Sequence, residues 1–207
     1  MISIIDYDAG NTKSVEKAIQ FLGKEAIITS DKDIILSSDH VILPGVGNFG
    51  DAAARLKTSG LDKVIYDYVD TGKPFLGICL GLQLFFQESE ESPGATGLGL
   101  LDGTITKIPS TNAAGESFKV PQIGWNDITI NSESKLLKNI SKEEKPYVYF
   151  VHSFYLKCDN PEDCAARTTY NVEIDAAVEK VNIMATQFHP EKSSEVGLNI
   201  LRNFINL

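Results

Sequence analysis

The chain has 207 residues, of which 43% are hydrophobic and 23% charged, and these proportions suit a soluble globular protein better than a disordered or membrane-embedded one. Its formal net charge of -9 argues against a nucleic-acid-binding protein, because such a surface needs a basic face to neutralise phosphates. The length predicts a single domain over residues 1–207 with a sizeable core.

The N-terminal residues show no basic segment followed by an apolar one, so no secretory signal is predicted. No stretch approaches the roughly 20 apolar residues that span a bilayer, and a cytoplasmic location is expected. Three cysteines leave at least one unpaired, and Cys158 and Cys164 are interpreted as ordinary thiols rather than a bridge. The histidines and cysteines are scattered without ligand spacing, so neither a metal nor an organic cofactor is predicted.

In the first half of the chain, short apolar runs alternate with helical patterns. The predicted strands are Ile2–Ile5, Glu25–Thr29, His40–Leu43 and Lys73–Ile78. Four helices are predicted. The first carries Val15, Ala18, Ile19 and Leu22 and ends at Gly23, and the second is capped by Asn48 or Asp51 and runs through Arg55. The third covers Leu61–Val69, and the fourth starts at Leu80. This alternation predicts an α/β fold with a mostly parallel sheet and helices on both faces.

In the second half, strand-like segments follow one another and predict an additional antiparallel region. They are Gly103–Ile108, Asp127–Ile130, Tyr147–Leu156, Ala165–Tyr170, Ala176–Lys180 and Ile183–Phe188. A stretch rich in Gly, Ser, Thr and Asn around 109–117 is predicted to be a loop, and Ser194–Phe204 is predicted to form a closing helix.

Cys79 stands between two glycines where a predicted strand meets a predicted helix. The segment Gly77-Ile78-Cys79-Leu80-Gly81 has the spacing of a nucleophile elbow, a sharp turn that brings neighbouring backbone too close for a Cβ atom. Such a turn puts the thiol at the carboxyl end of a strand, where open α/β sheets place their sites, and at a helix N-terminus that favours the thiolate. A free cysteine is often only a small buried apolar residue, but this setting favours a nucleophile.

A nucleophilic thiol needs a base, and the base needs a partner that orients it. Of the three histidines, His40 opens a predicted strand and is interpreted as structural or surface, and His152 lies within another. His189 ends a β-rich run and is followed by Pro190 and Glu191. Because residues two apart in an extended segment point to the same side, the Glu191 carboxylate can orient the His189 ring. A surface turn is the alternative, and these three residues alone do not decide between them.

A glycine-rich turn, Pro44-Gly45-Val46-Gly47, follows the predicted strand His40–Leu43. Its backbone N–H groups, together with that of Leu80, can form an oxyanion hole. A phosphate cradle is the alternative, but the lysine of a phosphate-binding loop is missing.

Together these segments resemble the triad-type (class I) glutamine amidotransferases. The matching segments are Pro44–Gly47, Gly77–Gln83, Pro121–Asn126, Tyr149–Ser153 and Gln187–Ser193. The elbow and the His-Pro-Glu segment are shared across that superfamily. The Pro-Gly-Val-Gly and Ile-Gly-Trp-Asn segments resemble the glutaminase subunits of imidazole glycerol phosphate synthase in particular.

The resemblance implies a doubly wound α/β sheet and the hydrolysis of glutamine to glutamate and ammonia. It implies that Cys79 attacks the carboxamide to form a thioester, that His189 moves the protons and that Glu191 orients His189. An oxyanion hole would come from the N–H groups of Leu80 and, after a peptide flip, Val46.

By the same resemblance, four residues match positions that contact bound glutamine: Gly47, Gln83, Ser153 and Phe154. Relatives often have tyrosine where this chain has Phe154, so main-chain contacts there would survive and any hydroxyl role would not.

The resemblance also implies a partner, a (β/α)8-barrel cyclase subunit that uses the ammonia to form imidazole glycerol phosphate and an aminoimidazole-carboxamide ribotide in histidine biosynthesis. Asn11, Trp125 and Lys192 match positions at or near that interface, although core packing is the alternative for Trp125. Competing hypotheses are a cysteine peptidase or chaperone-like relative, a non-catalytic subunit, and a paralogue that supplies ammonia to another barrel synthase.

Overall fold

The computed structural model describes residues 1–112, 114–131, 133–140 and 145–207. Its strands are β1 Ile2–Ile5, β2 Ala26–Thr29, β3 His40–Gly45, β4 Phe75–Cys79, β5 Glu88–Ser89, β6 Gly103–Lys107, β7 Gln122–Asp127, β8 Thr129–Ile130, β9 Tyr147–His152, β10 Phe154–Cys158, β11 Cys164–Tyr170, β12 Val172–Lys180 and β13 Ile183–Thr186. Its α-helices are α1 Thr12–Phe21, α2 Lys32–Ser37, α3 Phe49–Ser59, α4 Leu61–Val69, α5 Leu80–Leu84 and α6 Ser194–Ile205.

One large mixed sheet organises the molecule. Its strand order is β2-β1-β3-β4-β13-β12-β10-β6-β5, with β11 paired to both β12 and β8. In the run β2-β1-β3-β4-β13 each strand is parallel to the next. β12 is antiparallel to both β13 and β10, and β10 is antiparallel to β6. β7 and β9 form a separate antiparallel ribbon. The α/β class, the parallel sheet and the antiparallel region in the second half are thus confirmed.

Two apolar layers cover the two faces of the parallel strands, because side chains alternate along each strand. Ile5, Leu43 and Phe75 pack on one face with buried residues of α2, α3 and α4. Ile4, Ile42 and Leu76 pack on the other face with buried residues of α1 and α6. Both faces are therefore closed by helices, which explains why β1, β3 and β4 are buried along most of their length.

The predicted strand Tyr147–Leu156 is wrong, because the chain breaks at Ser153 into two strands of different sheets. β9 pairs with β7 in the ribbon, and β10 pairs with β6 in the large sheet. No glycine or proline marks the break, so the continuous apolar pattern hid it. The predicted strand Asp127–Ile130 is also divided, since Asp127 ends β7 and Thr129 begins β8. The sequence patterns missed β5, α2 and most of β7.

The parallel strands β1, β3, β4 and β13 end at one edge of the sheet. The register places Gly45 at the end of β3 opposite Cys79 at the end of β4, and Thr186 of β13 opposite Ile78. The segments that follow these strands carry the predicted elbow, the glycine-rich turn and the His-Pro-Glu segment, so the topology gathers them at this edge. None of the described helices is long and apolar enough to cross a membrane.

Candidate active site

Cys79 is the last residue of β4 and directly precedes α5, and its backbone has the conformation of a nucleophile elbow. Its φ is 58° and its ψ -109°, a region that residues with a side chain rarely adopt. Backbone strain of this kind costs about 1–3 kcal/mol and persists only where the surrounding structure enforces it. The turn leaves Cys79 7% exposed, at the edge of a cavity.

The glycines on either side of Cys79 are required by close packing. A Cβ atom on Gly81 would lie 1.9 Å from the carbonyl oxygen of Leu43, and one on Gly77 would lie 2.8 Å from the ring of Phe85. The predicted reason for these glycines, that the turn leaves no room for a Cβ atom, is confirmed.

His189 and Glu191 form a buried pair. Nδ1 of His189 lies 2.8 Å from Oε1 of Glu191, and both side chains are almost wholly shielded from solvent. The expected extended segment is wrong, because Pro190 begins a 3₁₀ turn over Pro190–Lys192. Ser193 closes that turn by donating its hydroxyl to the His189 carbonyl at 2.6 Å. The turn brings imidazole and carboxylate together as the extended geometry would have done.

The charged form of His189 is favoured despite its burial. Burial alone disfavours the imidazolium, but the interactions with Cys79 and Glu191 outweigh it and raise the pKa of His189 to about 9. Nε2, the ring nitrogen opposite Glu191, is buried and has no hydrogen-bond partner among the described residues. His189 and Cys79 border the same cavity, so this nitrogen is free to exchange a proton there.

A cavity of about 280 Å³ gathers most of the predicted site residues. Its walls include Val46, Gly47, Cys79, Leu80, Gln83, Ser153, Phe154 and His189. Glu91, Pro121, Val151 and His152 also border it and were not among the predicted site residues. Glu191 stands behind His189 rather than at the cavity wall.

The glycine-rich turn is fitted closely against the elbow. A Cβ atom on Gly45 would lie 2.7 Å from the hydroxyl of Tyr7 and 2.8 Å from Cβ of Leu80. That Tyr7 hydroxyl donates to the Pro44 carbonyl at 3.0 Å and so anchors the start of the turn. Beyond this anchor, Val46 is 42% exposed and Gly47 has a φ of 105° that favours glycine. The turn is thus fixed at one end and open at the other.

Gln83 is held by two hydrogen bonds from its amide nitrogen. Nε2 donates to the Phe154 carbonyl at 3.1 Å and to Oε1 of Gln187 at 3.0 Å. Gln187 is fully buried, and its own amide nitrogen points at Sγ of Cys79 from 3.9 Å. Because both N–H groups of Gln83 are used within the protein, its side-chain oxygen is the atom left to accept a hydrogen bond from a ligand.

Glu91 is the acidic side chain that sequence reasoning missed. Its Oε2 accepts a hydrogen bond of 2.7 Å from the backbone N–H of Phe49, at the start of α3, and the residue borders the cavity. In sequence it belongs to the acidic run Glu88-Ser89-Glu90-Glu91, which is typical of a solvated surface. Only the long-range contact with α3 distinguishes it, and no local pattern carries that signal.

The other two thiols lie elsewhere and are poor nucleophiles. Sγ of Cys164 donates to Oδ1 of Asp175 at 3.1 Å, and burial together with that carboxylate raises the pKa of Cys164 to about 12. Burial and Asp175 likewise raise the pKa of Cys158. All three cysteines are free, as the interpretation of Cys158 and Cys164 as ordinary thiols required. Among the described residues, no group of three histidine, cysteine or acidic side chains is placed to hold a metal ion.

The three residues predicted at a partner interface lie outside the cavity. Asn11 precedes α1 after the carboxyl end of β1, and Lys192 ends the Pro190–Lys192 turn after β13. Trp125 lies on β7, is 51% exposed and packs edge-to-face on Tyr149 with ring centroids 6.1 Å apart. Ile123, two residues earlier on the same face of β7, is 63% exposed. The core-packing alternative for Trp125 is therefore excluded within this chain.

Comparison with known proteins gives a consistent assignment. The profile of the family "Glutamine amidotransferase class-I" matches residues 3–207. A Methanothermobacter thermautotrophicus protein named "Imidazole glycerol phosphate synthase subunit HisH" is 48% identical over 207 residues, which are all of this chain and 98% of that relative. A Bacillus subtilis protein of the same name is 44% identical over 207 residues, all of this chain and 96% of the relative.

Solved structures share the fold at lower identity. A structure described as glutamine amidotransferase superposes with a TM-score of 0.75 at 18% identity, covering 99% of this chain and 97% of the other. The structure of PurLQS from Thermotoga maritima gives a TM-score of 0.74 at 22% identity with the same coverage. At these identities the likeness shows the fold alone.

Proposed function

This chain is a member of the class-I glutamine amidotransferase family, and from that premise we propose that it hydrolyses glutamine to glutamate and ammonia as the glutaminase subunit of imidazole glycerol phosphate synthase. The ammonia passes to a (β/α)8-barrel cyclase subunit, which uses it to form imidazole glycerol phosphate and an aminoimidazole-carboxamide ribotide in histidine biosynthesis. The full-length identity of 44–48% to proteins of that name supports the assignment. In this proposal residues 1–207 act as one catalytic domain, and the protein works in the cytoplasm. The single domain is supported by the apolar layer that β1, near the N-terminus, shares with α6, near the C-terminus.

The observation that carries the proposal is that the strained Cys79 elbow borders the same cavity as His189, whose ring is paired with Glu191 behind it. In the proposed reaction the thiol proton of Cys79 passes to Nε2 of His189 before the sulfur attacks the carboxamide carbon of glutamine, which agrees with the charged form of His189 described above. The imidazolium then gives this proton to the departing ammonia, leaving a γ-glutamyl thioester. His189 next takes a proton from water, which attacks the thioester and releases glutamate and the thiol. Glu191 holds the ring and stabilises its charge.

Negative charge that develops on the carboxamide oxygen needs N–H donors. The N–H of Leu80 is the first donor, because Leu80 directly follows the nucleophile and borders the cavity. Val46 supplies the second after its peptide flips. Gly45 and Gly47 allow such a flip, and the Tyr7 contact to the Pro44 carbonyl confines it to the residues beyond the anchor.

Recognition of glutamine falls to the remaining walls of the cavity. The side-chain oxygen of Gln83, left free by its internal bonds, accepts a hydrogen bond from the substrate. Glu91 complements the positive charge of the α-ammonium group, and main-chain groups of Gly47, Ser153 and Phe154 hold the α-carboxylate end.

The exposed aromatic and apolar side chains of β7 supply the partner surface. Trp125 and Ile123 project from the ribbon whose other strand, β9, leads into Ser153 at the cavity. Asn11 and Lys192 extend the proposed interface along the carboxyl edge of the parallel strands. A large exposed aromatic with little to pack against in its own chain is typical of an interface anchor.

Co-expression with the cognate barrel subunit tests the proposal. The two chains should co-purify, and the complex should convert the histidine-pathway intermediate at the expense of glutamine. Co-purification with a barrel synthase of another pathway, and turnover there only, would favour the paralogue hypothesis. Release of peptide fragments from a casein substrate would favour the peptidase hypothesis.

A further inference from the structure

A chain of buried side-chain hydrogen bonds runs from β7 to the wall of the cavity. It begins at Gln122, passes through His152 and the Phe154 carbonyl, and ends at Gln83. Gln122, His152 and Gln83 are each at most 6% exposed, so water does not compete for these contacts. None of the proposed chemical steps uses His152, although it borders the cavity.

Both ring nitrogens of His152 are engaged. Nδ1 lies 2.8 Å from the Phe154 carbonyl oxygen, and Nε2 lies 3.0 Å from Oε1 of Gln122. A carbonyl can only accept, so Nδ1 carries the proton. Burial, opposed by the Phe154 carbonyl and aided by the charge of neighbouring His189, lowers the pKa of His152 to about 4, so the ring is neutral near pH 7. Nε2 of the neutral ring is then an acceptor. A half-turn of the Gln122 side-chain amide exchanges its oxygen and nitrogen, so that the nitrogen donates to Nε2.

The Phe154 carbonyl is the junction of the chain. It accepts from Nδ1 of His152 and also from Nε2 of Gln83 at 3.1 Å, so both of its lone pairs are used. Its position fixes the orientation of the Gln83 amide, because the second N–H of Gln83 is committed to Gln187 at 3.0 Å. With Phe154 held, only the oxygen of Gln83 is presented to the cavity.

We propose that His152 is a positioning and specificity-determining residue, which holds the Phe154 carbonyl so that Gln83 presents an acceptor, and not a donor, to the N–H groups of glutamine. This inference rests on the proposed function and deepens it. A ligand of the same shape that carries only acceptors in place of the carboxamide N–H groups, such as glutamate in place of glutamine, is rejected because two acceptors face each other.

The other end of the chain reaches the surface ribbon. Gln122 lies on β7, one residue before exposed Ile123 and three before Trp125. His152 ends β9 opposite Gln122 in the ribbon register. His152 therefore ties the strand that carries the exposed apolar side chains to the segment that binds substrate.

Two substitutions separate the roles of the two ring nitrogens. In His152→Asn the amide nitrogen takes the place of Nδ1 and still reaches the Phe154 carbonyl. In His152→Gln the amide reaches the place of Nε2 and leaves that carbonyl without its donor. Each variant loses one buried hydrogen bond, so a merely structural role predicts similar effects from both. His40→Gln is the control, since His40 begins β3 at the opposite edge of the sheet.

Ammonia release is measured with the full chain in complex with its co-expressed barrel subunit, as kcat and KM for L-glutamine. We expect KM to rise at least about tenfold in His152→Gln and less than about threefold in His152→Asn and His40→Gln. The kcat of all three variants should stay within about threefold of wild type. The contact that is lost binds the substrate and the transition state equally, so its loss raises KM and leaves kcat unchanged. The wild-type complex should also bind L-glutamate at least about tenfold more weakly than L-glutamine, and His152→Gln should narrow that ratio.

Equal increases in KM for the Asn and Gln variants, or a larger increase for Asn, would overturn the inference while the proposed function stands. A wild-type complex that releases no ammonia from glutamine would overturn both. If His152→Gln does not fold, as judged by circular dichroism, His152→Met replaces it, because methionine has similar bulk and no donor for the Phe154 carbonyl. The same rise in KM is then expected.

Discussion

Nδ1 of His189 lies 2.8 Å from Oε1 of Glu191, so the carboxylate occupies one ring nitrogen and leaves Nε2 for chemistry. The pair is created by a single 3₁₀ turn that starts at Pro190 and places residues two apart in contact. That turn packs tightly on α6, since a Cβ atom on Gly197 would lie 1.9 Å from the Pro190 carbonyl oxygen. The orientation of the proposed base therefore depends on the packing of the turn against the helix that directly follows it, α6.

Glu191→Gln should lower kcat by about 10²–10⁴-fold while the chain still folds, because the amide keeps the volume but loses the charge that stabilises the imidazolium. Steady-state glutaminase kinetics of the complex, with thermal unfolding as the check on folding, provide the measurement. A kcat within about threefold of wild type would contradict the role proposed for Glu191.

The pH profile of kcat/KM should fall on the alkaline side near pH 9, where His189 loses its proton. In Glu191→Gln this limb should move to lower pH, because one of the interactions that raise the pKa of His189 is gone. The same shift bears on folding: His189 in the folded state titrates at about 9 against 6.5 for its ordinary value. Its stabilising contribution is complete below pH about 6.5 and is lost as pH rises through 9. An alkaline limb that is the same in both proteins would contradict this assignment.

Glu91→Gln should raise the KM for glutamine about 10–100-fold and change kcat little, because it removes the charge opposite the α-ammonium group and preserves an acceptor for the Phe49 N–H. Glu90→Gln is the matched control, since Glu90 is exposed and bonds instead to Thr106 and Lys107. Steady-state kinetics of the two complexes distinguish them. Equal KM values in both variants would remove Glu91 from the recognition of glutamine.

Gly81→Ala should destabilise the protein by at least about 3 kcal/mol, because the new Cβ atom would lie 1.9 Å from the Leu43 carbonyl oxygen. Gly72→Ala provides the comparison. There φ is 74° and nothing lies within 4 Å of the added atom, so only the left-handed backbone penalty of about 1–2 kcal/mol applies. Urea unfolding gives both values. If Gly81→Ala were no more destabilising than Gly72→Ala, the elbow would not need the close approach described for it.

Trp125→Ala should weaken binding of the barrel subunit by about thirtyfold, or about 2 kcal/mol, and change the unfolding free energy by less than about 0.5 kcal/mol. The side chain is half exposed and its main contact is with the Tyr149 ring. Phe21→Ala removes another exposed aromatic, 76% accessible at the end of α1, and should leave the affinity unchanged. Calorimetric titration of the two subunits measures both, and equal affinities would exclude Trp125 from the interface.

Local sequence patterns predicted the features that depend on local rules. The alternation of apolar runs and helical spacing gave the parallel strands, and two glycines around one cysteine gave the elbow. The His189–Glu191 pair was also foreseen, although through an extended geometry that is wrong. In each case the determining contacts are within a few residues in sequence, or follow from the rule that parallel strands end at one edge.

Features that depend on distant contacts escaped sequence reasoning. Glu91 is distinguished only by the Phe49 N–H 42 residues away, and the break at Ser153 only by pairing with two different sheets. His152 looked like an ordinary strand residue because its partners, Gln122 and the Phe154 carbonyl, meet only when β7 and β9 pair. Contacts between residues so distant in sequence leave no periodicity or turn signal in the local pattern.

The most direct test of the account uses Cys79→Ala in complex with the co-expressed barrel subunit, with the same complex assayed first on glutamine and then on added ammonium salt. We predict that ammonia release from glutamine and glutamine-dependent synthesis are both lost, while synthesis from ammonium continues at the wild-type rate because the barrel site is intact. Glutamine-dependent ammonia release that persists in Cys79→Ala would contradict the central claim that Cys79 is the nucleophile.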